Sequence, residues 1–249
     1  MDESAVTNKD WSITNNGRTS IVPSGWWGNG PENLVEIENF IPEDQLNFLE
    51  AEAKGITSWD VTETHTNEDG IVIYDAGYWA NRVATRQSLD RKNPEIGPII
   101  KELNEKLQIE IEKHFNVKVG PVGQTIVRWL PGQKQIPHAD KELIHGEHIG
   151  KPNDFPWFDI ASLFYLNEDY EGGELFHPFQ NSKFKPKRGA AYFFPGDRFY
   201  AHGITEIKSG IRYTCPFFWN VLEHTDGRDH TTFELPEHLR DYTAPEYTE

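Results

Sequence analysis

The sequence predicts a single, mostly β domain in which a few helices support one side of a β-sandwich or open barrel. Three observations carry this prediction. Helical periodicity is confined to roughly the first half of the chain, whereas branched and aromatic runs bounded by Pro and Gly turns fill residues 122–221. A length of 249 residues suits one sizeable domain. Aromatic residues make up 13% of the chain, with eight tryptophans, enough to fill a β core or to line a groove.

Residues 1–33 contain Gly25, Gly28, Gly30 and Pro31 among Asn and Ser, and read as an irregular arm. Leu34 to Ile37 forms a short strand. Pro42 then sits where a first helical residue belongs, with Glu43 and Asp44 in the first turn, so a helix starts there, buries Leu46 and Leu49, and ends near Gly55. From Ser58 to Arg86 the texture is mixed, with short strands and turn points at Gly70 and Gly77. Asn93 and Pro94 open the clearest helix: Ile96, Ile100, Leu103, Leu107 and Ile111 step by three or four along one face that must pack on a sheet. Strands follow at Val122–Leu130, Asp159–Leu166, Gly189–Phe194 and Ile211–Val221. The polar, acidic end of the chain reads as peripheral, which gives an arm over 1–33, a domain over 34–221 and a tail over 222–249.

Charge narrows the partners. With 24 Lys and Arg against 40 Asp and Glu the formal net charge is −16, a field that repels nucleic acid and anionic membrane surfaces. Cys215 is the only cysteine, so no intramolecular disulfide forms, which fits a reducing, cytoplasmic compartment. Met1 to Trp11 is polar and acidic, without the basic and apolar regions of a signal peptide.

The chemistry concentrates in a few segments. His138 and Asp140 stand at i and i+2, which places an imidazole and a carboxylate on the same side of an extended segment. His202 lies in a turn-prone stretch between two strand candidates. Two His and one carboxylate on one face of an octahedron leave three positions open, the donor set of ferrous oxygenases. A lone His-x-Asp is weak evidence in a chain with ten histidines and forty acids. Arg212, ten residues after His202, sits in the strand-like run Ile211-Arg212-Tyr213-Thr214-Cys215. There a guanidinium needs an anionic partner, either a ligand carboxylate or an internal acid, unless the strand is an edge facing water.

The run Arg128-Trp129-Leu130-Pro131-Gly132-Gln133 to His138-Ala139-Asp140 resembles the metal strand of the prolyl 4-hydroxylase group of 2-oxoglutarate oxygenases. Further stretches agree in order: Phe164-Tyr165-Leu166-Asn167, Gly172-Gly173-Glu174-Leu175-Phe176, Arg188-Gly189-Ala190-Ala191-Tyr192-Phe193-Phe194, and His202-Gly203 followed by Gly210 and Arg212. Glu38-Asn39-Phe40-Ile41-Pro42 looks like that family's approach to its first helix. The resemblance spans roughly residues 34–221 and implies a double-stranded β-helix, or jelly roll of the cupin kind. It implies Fe(II) held by His138, Asp140 and His202, with no catalytic side chain beyond the metal centre, and 2-oxoglutarate held by Arg212, assisted by Tyr165 and Thr214. Tyr165 can equally be plain core. The implied activity is hydroxylation of a substrate C–H by O2, with succinate and CO2 released and ascorbate as reductant.

Peptidyl proline in a peptide or protein is the leading substrate class; a free amino acid or other small molecule is the alternative, and a non-catalytic metal and 2-oxoglutarate sensor is the third reading. Nucleic-acid demethylases resembling this family carry a second arginine six residues after the first, where this chain has Phe218. Other departures are Arg212 where many members have Lys, Trp129 for the usual Tyr, and Lys141 where plant-type enzymes often carry an aromatic. An insert over 141–158 is long for its connection and reads as a lid or as a solvated loop in which His145 and His148 bind nothing. His177 reads as a turn-capping or surface residue.

Overall fold

The computed structural model describes residues 18–60, 65–66, 72–74, 76–123, 125–185 and 187–240. Strands and helices run in the order β1 (Val35–Ile37), α1 (Glu43–Lys54), β2 (His65–Thr66), β3 (Val72–Tyr74), α2 (Ala76–Trp79), β4 (Val83–Thr85), α3 (Arg86–Lys92), α4 (Ile96–Phe115), β5 (Val117–Val122), β6 (Thr125–Trp129) and β7 (Gln135–His138). They continue with β8 (Ile160–Tyr165), β9 (Glu171–Gly172), β10 (Leu175–His177), β11 (Ser182–Phe184), β12 (Ala191–Pro195), β13 (His202–Ile204), β14 (Ile207–Ser209), β15 (Arg212–His224) and α5 (Glu237–Arg240). A larger antiparallel sheet has the order β1-β12-β8-β15-β6-β4, with β5 also paired to β15, and a smaller one has the order β11-β10-β13-β7. The chain is a double-stranded β-helix, in which helices α1–α4 precede β5–β15.

Alternation along the strands separates two cores. On β15, Tyr213, Cys215, Phe217 and Trp219 pack with the helical face of Ile96, Ile100, Leu103, Leu107 and Ile111, which is fully buried as its periodicity requires. The intervening Arg212, Thr214, Pro216 and Phe218 line a cavity instead. On β8 and β12 the same division places Phe164 and Phe193 among the helices, and Ala161, Leu163, Tyr192 and Phe194 in a second core.

Four expectations change. The predicted strand Val122–Leu130 is two strands: Gly123, at φ +79°, breaks it, so that Val122 pairs with Phe218 while Val127 pairs with Thr214. Pro216, which has no N–H to donate, falls on β15 between those two pairings. A helix unforeseen in the sequence, α3, starts at Thr85, whose side chain accepts from Ser88 N. The arm is irregular but not loose, because Val22 and Trp26 are buried, and Trp26 packs against His224 and Phe233. The tail is not peripheral over 222–240: β15 runs on to His224 and Leu239 is buried in the second core. Gly70 and the ends of the arm and tail lie outside the described residues.

Candidate metal and 2-oxoglutarate site

The cavity, of about 240 Å3, opens between the two sheets. Register brings the candidate ligands to it: His138, the last residue of β7, pairs with His202, the first of β13. Their rings lie 4.5 Å apart. Asp140 follows the end of β7, and its oxygens reach to 3.8 Å from His138 Nε2 and 3.9 Å from His202 Nε2. All three ligand atoms fall within 4.8 Å of one another, the one such cluster among the described residues. His202, expected in a turn, belongs to a strand. The glycine after it lets β13 and β7 approach, since a Cβ on Gly203 would stand 2.6 Å from the Gln135 carbonyl.

Each imidazole is oriented from behind. His138 Nδ1 lies 3.2 Å from the Ile136 carbonyl and His202 Nδ1 3.3 Å from the Tyr200 carbonyl, so each Nδ1–H donates to backbone and each Nε2 lone pair faces the cluster. Burial lowers the pKa of both histidines, which stay neutral, and pushes the Asp140 carboxyl up to about 8. Asp140 Oδ2 is buried and has no hydrogen-bond partner. An orphaned buried carboxyl between two neutral imidazoles is stabilised as carboxylate by a divalent cation, and the N2O donor set suits Fe(II).

Arg212 opens on the same cavity. It is 1% exposed, takes part in no ion pair among the described residues, and its Nε and Nη2 have no hydrogen-bond partner. Its guanidinium carbon sits 5.2 Å from the Tyr165 ring centroid and 5.9 Å from that of Trp129. Asn167 grips the backbone on either side of it, donating to the Ile211 carbonyl at 2.7 Å and accepting from Tyr213 N at 2.8 Å. A fixed, buried, unpaired cation beside a metal-ligand cluster matches a ligand carrying a carboxylate. Of its two expected helpers, Thr214 lines the cavity, and Tyr165 is buried on the same face of β8 as Ala161 and Leu163, with its ring against the Arg212 guanidinium. Tyr170, unforeseen in the sequence, has an orphaned hydroxyl, and the positive charge of Arg212 acts on both phenols.

Among the described residues the rest of the wall is apolar or uncharged: Trp79, Val83, Thr125, Trp129, Asn153 and a row of rings. Phe155 stacks on Phe158 at 5.0 Å, and Phe158 on Phe218 at 3.9 Å. Phe155 and Phe158 come from the insert, which is folded rather than merely solvated: Trp157 and Phe158 are buried and Leu143 N donates to the Lys151 carbonyl. His145 is exposed and joins no ligand cluster. His177 is not a surface residue. It is fully buried on β10 with its ring 5.6 Å from that of His202, and burial pushes its pKa down to about 3.

No helix among the described residues is long and apolar enough to cross a membrane. No curated protein matches the chain in sequence. Among solved structures, a 2OG-Fe(II) oxygenase-family oxidoreductase from Burkholderia pseudomallei shares the fold, with a TM-score of 0.52 at 16% identity over 79% of this chain and 89% of that one. A viral collagen prolyl hydroxylase from Paramecium Bursaria Chlorella virus-1 aligns at 18% identity, covering 77% of this chain and 97% of that one, with a TM-score of 0.48. A prolyl hydroxylase from Trichoplax adhaerens, solved with a hypoxia inducible factor peptide fragment, aligns at 15% identity over 88% and 94%, with a TM-score of 0.49. The sequence model of the 2OG-Fe(II) oxygenase superfamily matches residues 125–220, the stretch that contains His138, Asp140, Tyr165, His202, Arg212 and Thr214. Over that stretch the chain is similar to the 2OG-Fe(II) oxygenase superfamily.

Proposed function

We propose that the chain is a hydroxylase of the prolyl 4-hydroxylase type, acting on proline within a peptide. In this reading His138, Asp140 and His202 hold Fe(II), and Arg212 holds the distal carboxylate of 2-oxoglutarate, with Thr214 and the hydroxyls of Tyr165 and Tyr170 beside it. The observation that carries it is the buried, unpaired Arg212 guanidinium opening on the same cavity as the His138, Asp140 and His202 cluster. Bound together, the iron and 2-oxoglutarate supply oxidative chemistry that hydroxylates a C–H and yields succinate and CO2. The protein fixes two neutral imidazoles through backbone carbonyls, clamps the cosubstrate at one end, and excludes water with the Phe155, Phe158 and Phe218 rings.

Two observations support a peptidyl substrate. The motif order across residues 34–221 resembles prolyl 4-hydroxylases, and among the described residues the ionisable side chains lining the cavity are those proposed for metal and cosubstrate, with none beside them to meet the charges of a free amino acid. The test is mass spectrometry of proline-rich peptides incubated with protein, Fe(II), 2-oxoglutarate and ascorbate, with succinate followed in parallel. One added oxygen on proline is the expected result. Succinate without peptide modification would redirect the search to small molecules, and neither product would favour the sensor reading.

A further inference from the structure

The segment that carries Asp140 is held from outside by the N-terminal arm, through a row of buried charges that the metal site does not use. Lys141, adjacent to Asp140, points into this row. Its Nζ donates to Asp159 Oδ1 at 2.8 Å, to the Val22 carbonyl at 2.7 Å and to Ser20 Oγ at 3.0 Å. Ser20 Oγ itself donates to Asp159 Oδ1 at 2.5 Å, and Asp159 Oδ2 accepts from Val221 N on β15 at 2.9 Å. Next along the arm, Ser24 Oγ donates to Glu142, and Gly25 N donates to Asp197 Oδ2 at 2.9 Å. Lys141, Glu142, Asp159 and Asp197 are all buried.

These contacts converge on one backbone crossing. Asp140 N and Lys141 N both donate to the Gly196 carbonyl, at 2.9 and 3.2 Å, and Gly196 N donates to the Asp159 carbonyl at 2.8 Å. The crossing is too close for a side chain: a Cβ on Gly196 would collide with the Phe158 carbonyl and stand 3.4 Å from Asp140 Cβ. Lys141 and Asp159 also bracket the insert, so their ion pair pins the neck of the loop that brings Phe155 and Phe158 to the cavity. Inside that loop, Asn153 Nδ2 donates to the Asp140 carbonyl at 2.9 Å. The candidate metal carboxylate is thus set by contacts from the arm, the insert and the turn after β12, with Lys141 common to the first two.

We propose that Lys141, with Asp159 and the arm residues Ser20 and Ser24, is a positioning element for the metal centre: the arm is a strap that fixes where the Asp140 carboxylate stands. A residue one position from a ligand does not touch the metal, so its effect is on ligand geometry, where loss of an outer partner costs about 10- to 100-fold in metal affinity. The inference rests on Asp140 being a metal ligand. Its probe is Co(II) alone, titrated into the full chain and followed by visible absorption, which reads ligand geometry without turnover.

Lys141→Met should raise the Co(II) Kd by about tenfold or more and alter the spectrum. The double substitution Ser20→Ala with Ser24→Ala should raise it by a smaller factor. That effect should shrink when combined with Lys141→Met, because Lys141 and Ser20 share one network. Leu49→Ala, in the helical core of α1, is the control: it lowers the thermal midpoint and should leave the Co(II) Kd within about twofold. If Lys141→Met loses thermal stability as Leu49→Ala does yet binds Co(II) like wild type, the proposal is overturned. If Lys141→Met does not fold, an unchanged Kd in the double serine variant overturns it equally. Asp140→Ala binding Co(II) as tightly as wild type would instead defeat the site reading beneath the proposal.

Discussion

Arg212→Met tests the cosubstrate assignment through stability before any turnover is measured. In the ligand-free protein the guanidinium is buried with two nitrogens unsatisfied and no acid among the described residues paired to it. An uncompensated buried charge destabilises the fold, and replacing buried ionic groups by apolar residues of similar volume is neutral or stabilising by about 1–4 kcal/mol. The variant should therefore unfold at the same or a higher temperature than wild type. With Mn(II) as a redox-inert metal and 2-oxoglutarate at one hundred times its Kd, linkage stabilises wild type by about 2.7 kcal/mol. At about 2–4 °C per kcal/mol for a domain of this size, that is a rise of about 5–11 °C. The variant should show the Mn(II) shift and lose the 2-oxoglutarate shift. Differential scanning calorimetry reads both. A ligand-free variant destabilised by more than about 2 kcal/mol, together with a retained 2-oxoglutarate shift, would mean that Arg212 serves an internal partner and that the reasoning fails.

Three further outcomes are expected. Asp140→Ala and His202→Ala should each abolish Co(II) binding measurable by titration and, with Fe(II), succinate formation; full retention of both in either variant would refute its assignment as a ligand. His177 is neutral in the fold with its pKa near 3, while an unfolded histidine titrates near 6.5. The unfolded chain therefore takes up a proton that the native state refuses, and stability present above about pH 6.5 is lost as pH falls toward 3, at up to about 1.4 kcal/mol per pH unit. Urea denaturation of metal-free protein across pH 4–7 should show a shallower acid slope for His177→Leu, and equal slopes would count against this. Phe218→Leu removes the ring stacked on Phe158 and should raise the KM of a peptide substrate by about three- to tenfold while the KM for 2-oxoglutarate stays within about twofold. A change in the latter alone would misplace the two ends of the cavity.

Much of the centre was legible because its chemistry is local in sequence. His138 and Asp140 are two residues apart, Arg212 interrupts an apolar run, and the long amphipathic helix announces the face it buries. What escaped notice depends on distant segments. Tyr170 looks like an ordinary loop tyrosine until its hydroxyl is seen without a partner. Gly123 divides a strand-like run because each half pairs with a different part of β15, a fact of topology that periodicity cannot carry. Lys141 reads as a departure where an aromatic is frequent, yet the alternation that aims His138 and Asp140 inward turns Lys141 away, toward Asp159. Leu239 is a lone apolar residue in polar surroundings and Trp26 is one of a pair flanked by glycines, and neither leaves a periodic trace of its burial.

The alternating face of β15 has a consequence for how such a protein can change. Arg212, Thr214, Pro216 and Phe218 face the cavity in that order along one strand, a span of about 20 Å from first to last at the rise of an extended chain. On the proposed function, one end of this ruler meets the cosubstrate and the other whatever enters at the aromatic row. Exchanges at 216 and 218 can therefore retune the guest while leaving the reading at 212 untouched. A single inserted residue would do the opposite, turning every mark beyond it to the wrong side of the sheet. Drift in specificity is thus open to substitution and closed to insertion along this strand, and new length has to be taken up elsewhere, as in the loop over 141–158.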